Sequence, residues 1–230
     1  MATHLDLEEQ EQLDQLKAFW NQYGNLITWL LIAALGAYAA WNGLNYWQRD
    51  QASKAAAIFE ELDKAYQAGD LAKTAGIFAD MKARFPGTTI TQQAGLLTAK
   101  LQADKGQPDP AAATLEWLAA QSGEPEYQAV ARLRLAGVLL DQKKYDDALK
   151  QLDGAASKDF EALVADRRGD VLMAQGKPDD AKAAYQRAWK AMDSKVNYRR
   201  LIEAKLTAMG AAPTEEPTKS AAAKVGEAKP

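Results

Sequence analysis

The sequence predicts an all-α protein: an N-terminal transmembrane helix, an α-solenoid of about four degenerate helical hairpins, and a C-terminal closing helix. Three observations carry this reading. Residues 18–48 contain no charged side chain. The rest of the chain is built from Ala, Leu, Lys, Gln, Glu and Arg, all strong helix formers, with no alternating β-branched stretch. Two segments of the C-terminal half align with each other at a fixed offset of 33 residues.

The first element is the span, placed at residues 23–47. Residues 26–41 read LITWLLIAALGAYAAW, with one glycine and no proline. About 20 mostly apolar residues in helical form cross the roughly 30 Å hydrocarbon core of a bilayer. Phe19, Trp20 and Tyr23 precede the stretch, and Tyr38, Trp41, Tyr46 and Trp47 close it, as aromatic belts do at headgroup depth. The tripeptide Ala37-Tyr38-Ala39 has the small-residue form of a signal cleavage site, but residues 1–22 are not a basic leader. They form an acidic tail, with Asp6, Glu8, Glu9, Glu11 and Asp14 against Lys17. An uncleaved anchor in the lipid bilayer is therefore expected. Lys17 before the span and Arg49 and Lys54 after it leave its direction open, because long domains translocate largely regardless of flanking charge.

Residues 50–209 are long enough for one domain of about 160 residues, a size that buries roughly 68–70% of its unfolded surface without staples. The chain has no cysteine, which excludes disulfides, thiolate metal sites and a cysteine nucleophile. Its formal net charge of −3 gives no electrostatic footprint for nucleic acid.

The repeat fixes the domain's internal order. Residues 132–155 and 165–188 align on their Asp-Asp-Ala triplets, which matches Ala148 to Ala181, Ala136 to Gly169, Leu139 to Leu172, Leu152 to Tyr185 and Ala155 to Ala188. A helix-turn-helix unit of about 34 residues with small and large residues so spaced is tetratricopeptide-like. Small residues permit two helices of a hairpin to cross closely, and large ones fill the gaps between hairpins. Weaker copies precede these two. Gly69 with Thr74 and Gly106 with Ala111 repeat the offset of Gly176 with Ala181, so Thr74, Ala111, Ala148 and Ala181 follow one another in steps of 37, 37 and 33. The earliest unit also has Phe78 and Pro86 where the pattern expects them. Residues 93–104 and 127–141 are predicted first helices, and 111–121 and 146–155 second helices. Asp70, Pro108-Asp109-Pro110, Asp146-Asp147 and Pro178-Asp179-Asp180 mark helix starts, where acids face the positive end of the helix dipole. Residues 196–209 are the closing helix that a repeat stack needs to cover its last core face. Residues 210–230, rich in Pro, Ala, Glu and Lys, are expected to be a disordered tail.

An acidic N-terminus, one span and a short degenerate repeat array with a closing helix resemble the YfgM family of ancillary SecYEG translocon subunits, from about residue 5 to residue 209. The resemblance implies an inner-membrane protein with a cytoplasmic N-terminus and a periplasmic repeat domain. It also implies association with the SecYEG translocon and with a membrane-anchored periplasmic chaperone resembling PpiD, in the handling of translocated proteins. Two alternatives remain on the residues alone: a cytoplasm-facing tetratricopeptide adaptor, and an envelope-assembly scaffold that does not contact the translocon.

No catalytic, cofactor-binding or metal-ligating set stands out. The one histidine, His4, lies in the acidic tail, and no phosphate-binding loop motif occurs. Asp146/Asp147 and Asp179/Asp180 read as helix-start acids. Arg132/Arg134, Arg167/Arg168 and Arg199/Arg200 could grip a peptide carboxylate, or serve as solvated and intrahelical partners. The repeat register directs Phe59, Tyr66, Leu96, Leu133, Leu140, Leu163 and Met173 to the face lined by first helices. Apolar residues there form either a groove for a hydrophobic helix or unfolded segment, or core positions of repeats that have shifted register.

Overall fold

The computed structural model describes residues 7–213, with side chains from residue 11. His4 and residues 214–230 of the tail expected at 210–230 lie outside the described residues. Nine α-helices and no strand occur among the described residues: α1 (Leu7–Gln67), α2 (Leu71–Arg84), α3 (Thr89–Asp104), α4 (Pro108–Gln121), α5 (Pro125–Asp141), α6 (Tyr145–Gly154), α7 (Glu161–Ala174), α8 (Pro178–Ala191) and α9 (Tyr198–Ala208). They divide into two compact units, the first ending at Lys54 and the second beginning at Ala55.

Helix α1 is the one described helix long and apolar enough to cross a membrane. Leu26, Trp29, Leu30, Leu31, Ile32, Leu35 and Trp41 are all more than half exposed, the outward apolar surface that lipid requires of a lone span. Its polar groups turn inward on the backbone: Thr28 Oγ1 donates to the Gly24 carbonyl at 2.7 Å and Asn42 Nδ2 to the Tyr38 carbonyl at 3.1 Å. The sequence reading separates the span at 23–47 from a domain starting at 50, but α1 has no break there. Residues 48–67 contain neither proline nor glycine, so nothing stops the helix before Gly69.

In the second unit, α3/α4, α5/α6 and α7/α8 make antiparallel hairpins and α9 closes the array on α8; the last turns of α1 join α2 as a first hairpin through the Gly69 turn and the shared cluster of Leu62, Phe78, Met81 and Phe85. Each hairpin turns in the same way. Asp70, Gln107, Lys144 and Lys177 donate their backbone N–H to the carbonyls of Ala65, Gln102, Leu139 and Leu172, at 3.0, 2.8, 2.8 and 2.9 Å. These are six-to-one helix-ending bonds, which need a left-handed residue just before the donor. Gly69, Gly106 and Gly176 supply it with φ of 67°, 72° and 75°. The third hairpin has no glycine at this point, and Lys143 is held there at φ 59°. That substitution hides the third turn from a reading that follows glycine. Caps place the helix starts: the Asp70 carboxylate accepts from the Lys73 N–H at 3.0 Å, and Thr88 Oγ1 from the Thr91 N–H at 3.3 Å, so α3 begins ahead of the predicted residue 93. Prolines stand in the first turns of α4, α5 and α8.

Thr74, Ala111, Ala148 and Ala181 are fully buried, each at the crossing inside its hairpin. Four residues on, Phe78, Leu115, Leu152 and Tyr185 form the next buried row, and Met81, Leu118, Ala155 and Ala188 the one after that. The opposing first helices contribute Leu62, Ala99, Ala136 and Gly169 at a constant separation of 12 residues from the crossing row. Partner sizes compensate within hairpins. Tyr185 lies so close over Gly169 that a methyl group there would stand 2.4 Å from its ring. Between hairpins, Gln142 Nε2 donates to Asp109 Oδ1 at 2.8 Å, and Gln175 repeats this on Asp146 at 3.1 Å.

Two expected outcomes test this packing in thermal unfolding of the full-length protein, followed by circular dichroism. Gly169→Ala and Ala181→Leu should each destabilise the array by about 1–3 kcal/mol through overpacking. Lys143→Gly should stabilise it by about 0.5–1 kcal/mol, because the left-handed conformation costs a lysine and not a glycine. An unchanged melt in all three would mean that the crossing and the turn are not as described.

Candidate protein-binding face

The seven first-helix residues fall into register rows. Phe59, Leu96 and Leu133 occupy one equivalent position of successive first helices, Tyr66, Leu140 and Met173 another, and Leu163 precedes them on α7. Leu96, Leu133 and Leu140 are half-buried and pack against the central core around Leu135 and Leu139. Phe59 is half-buried against the N-terminal cluster of Leu62, Phe78 and Met81, and Tyr66 is half-buried. Leu163 and Met173 stand outside all three core clusters, exposed by 36% and 42%. The seven residues are thus graded: the five in the first three hairpins are half-buried, and the two in the fourth, Leu163 and Met173, are open.

At the fourth position of the Phe59 row stands Asp166, only 2% exposed. Its carboxylate accepts from Tyr198 Oη at 2.7 Å and from Lys205 Nζ at 2.8 Å, both side chains of α9. One turn along α7, Asp170 accepts from Lys205 Nζ at 2.6 Å and from Tyr185 Oη at 2.8 Å. Arg167 approaches the second oxygen of Asp170 at 3.6 Å. The Lys205 ammonium also lies 5.1 Å from the centre of the Tyr185 ring. Every carboxylate oxygen has a facing donor, so two acids and one lysine are compensated in a largely dry setting. Burial, together with the neighbouring carboxylates, pushes the Tyr185 and Tyr198 phenols above their ordinary range. Sequence inspection missed this cluster. Its one signal was acid at a position otherwise apolar, with a lysine 39 residues away in the closing helix.

The arginine pairs are largely spent inside the fold. Arg132 donates to Gln151 and to the Ala119 carbonyl, Arg134 to the Leu96 carbonyl, and Arg168 to Asp153. Arg199 stacks on Trp189 at 4.0 Å. An open crevice of about 580 Å³ lies along α7 and α8, with Val164, Leu172 and Ala184 in its wall and Lys158, Arg168 and Arg187 around them. Arg187 is bound by Glu161 at 2.9 Å. Among the described residues no cluster of His, Cys, Asp or Glu is arranged to hold a metal ion. The face offers apolar side chains and fixed charge, which suit binding.

The phenols set an expected pH response. A tyrosine whose pKa is raised on folding contributes stability that is fully present below its unfolded pKa of about 10 and is lost as pH rises through the folded value. The melting temperature should therefore fall more steeply above pH 10 in the parent than in a Tyr185→Phe, Tyr198→Phe protein. Parallel curves for the two proteins would show that neither phenol is perturbed.

A model of a tetratricopeptide repeat-like domain family matches residues 17–211. The ancillary SecYEG translocon subunit of Neisseria gonorrhoeae is 32% identical over 210 residues, covering 91% of this chain and 100% of that protein. Its counterpart in Escherichia coli is 31% identical over 180 residues, 77% of this chain and 85% of that one. The Haemophilus influenzae counterpart is 29% identical over 185 residues, 79% and 89%. No solved structure matches the chain. With a repeat-like match over nearly all the described residues and a relative aligned along its whole length, the chain belongs to the YfgM family of ancillary SecYEG translocon subunits.

Proposed function

We propose that this protein is a membrane-anchored, non-enzymatic protein-binding module of the bacterial inner membrane, associated with the SecYEG translocon. The N-terminus lies in the cytoplasm and the repeat domain in the periplasm, where it also meets a membrane-anchored chaperone resembling PpiD and assists the handling of translocated proteins. The observation that carries the reading is one apolar, outward-facing helix joined to a four-hairpin array in a chain whose relatives bear the translocon-subunit name. Anchoring confines the array to the membrane plane and raises its effective concentration beside membrane partners, so weak contacts suffice. The first-helix face from Phe59 to Met173 is the surface assigned to capture.

Carbonate extraction should leave the full-length protein in the membrane fraction, and alkaline phosphatase fused after Met209 should be active, because it matures where disulfides form. A soluble product starting near Ala40, or an inactive phosphatase fusion, would overturn the anchor or its direction. Leu133→Glu should weaken crosslinking of the array to the translocon in native membranes about tenfold, while lowering stability by about 1–3 kcal/mol, because the residue is half-buried against the central core. A large stability loss with crosslinking unchanged would place Leu133 in the core and remove the face from the mechanism.

A further inference from the structure

The chain reverses once more after α9. Gly210 has φ 69°, and the Ala211 N–H donates to the Leu206 carbonyl at 2.9 Å, the helix-ending turn that also closes the hairpins. Residues 211–213 therefore fold back on the array. Ala211 packs on the C-terminal cluster of Ile202 and Leu206. Pro213 is half-buried in a notch of about 390 Å³ beside Lys182, Gln186, Trp189 and Lys190 of α8. Lys182, Gln186 and Lys190 recur at intervals of four and so form one stripe, spanning about 12 Å of helix. Neighbouring cations are already engaged: Arg187 with Glu161 at 2.9 Å, Arg199 over Trp189 at 4.0 Å, and Lys205 between Asp166 and Asp170. Among the described residues, no carboxylate pairs with Lys182 or Lys190. Acids follow at once in the sequence. Residues 214–216 read Thr-Glu-Glu, and Glu215 and Glu216 are the first charged residues after Pro213. At about 3.5 Å per extended residue, Glu215 lies within about 7 Å of Pro213 and Glu216 within about 10 Å, so both reach the stripe on which Pro213 rests.

We infer that the Lys182–Gln186–Lys190 stripe of α8 is a docking site whose occupant is the chain's own segment 214–216, with the Glu215 and Glu216 carboxylates pairing with the two ammonium groups. The contact is a strap. It continues the path of residues 211–213 across α8, closes the notch beside Trp189 and ties the end of α9 to α8. Two exposed ion pairs are weak and screened by salt, so this closure of the last hairpin depends on ionic strength. It involves α8, α9 and the chain after them, and holds whichever protein the first-helix face captures.

The test uses the full-length protein in detergent micelles. The chain has no cysteine, so Thr218→Cys carries a single nitroxide spin label two residues past the acids. At low salt the label should tumble slowly. Lys182→Gln with Lys190→Gln, or about 1 M NaCl, should raise the mobile fraction about fivefold, as expected for the loss of two exposed ion pairs. Exchanging the charges, with Lys182→Glu and Lys190→Glu against Glu215→Lys and Glu216→Lys, should restore the slow component, which a tail merely tethered beside α8 would not do. Carbodiimide joins a carboxylate to an ammonium in contact with it, and should link Glu215 or Glu216 to Lys182 or Lys190 within one chain. The Lys73–Glu61 pair, 3.0 Å apart, is the internal control. A label equally mobile in the parent and in the Lys182→Gln, Lys190→Gln protein would overturn the proposal, as would exchanged charges that fail to restore the slow component. Links formed only between chains would overturn it too, by seating the tail of a second copy on the stripe.

Discussion

The close approach of two helices inside each hairpin is the constraint on which the array rests. A backbone crossing at contact distance admits only a small side chain, which Thr74, Ala111, Ala148 and Ala181 provide. Once the crossing is set, the rows four and seven residues later must point into the same seam, because those positions share a helix face. The seam then dictates sizes across it. Tyr185 is accommodated because Gly169 opposes it, while Leu115 and Leu152 meet alanines at the equivalent places. No hairpin can bury its outer apolar side alone, so each leans on its neighbour, and the core divides into three clusters strung along the stack.

The C-terminal end solves the leftover-face problem with charge. Asp166 sits where the earlier hairpins have phenylalanine or leucine, and it is compensated by a lysine and a phenol that arrive from α9. A buried ion pair adds little net stability compared with apolar packing, but removing one partner is severe. Such a cluster specifies one docking arrangement for α9 more than it strengthens the stack. Apolar packing of Ile202 and Leu206 supplies the attraction, and the acids supply the register.

Much of this was legible before any coordinates. Asp-Asp-Ala triplets, glycine offsets and helix-start prolines marked the four hairpins and the closing helix, because turns and tight crossings admit few residue types. What stayed hidden depended on context. Lys143 adopts a glycine-like conformation with nothing in its identity to announce it. The sequence reading placed the end of the span at residue 47 but not the end of its helix, which runs on to Gln67 because residues 48–67 contain neither proline nor glycine. On the first-helix face the register placed all seven apolar residues, but it could not say which lean into the core. Leu133 and Met173 read alike in sequence, yet one is half-buried and the other open. The acid–lysine cluster joins residues 39 apart, beyond any local pattern.

The clasp around Asp166 also has a bearing on how the chain is made. Ribosomes deliver the polypeptide from its N-terminus, so α7 exists for a time before α9 has been polymerised. During that interval Asp166 and Asp170 lack the ammonium that compensates them, and the desolvation cost of a lone carboxylate keeps that side of α7 hydrated. The first three hairpins, whose equivalent positions are apolar, face no such delay. The acid-bearing side of α7 can therefore be covered only once Lys205 has been made.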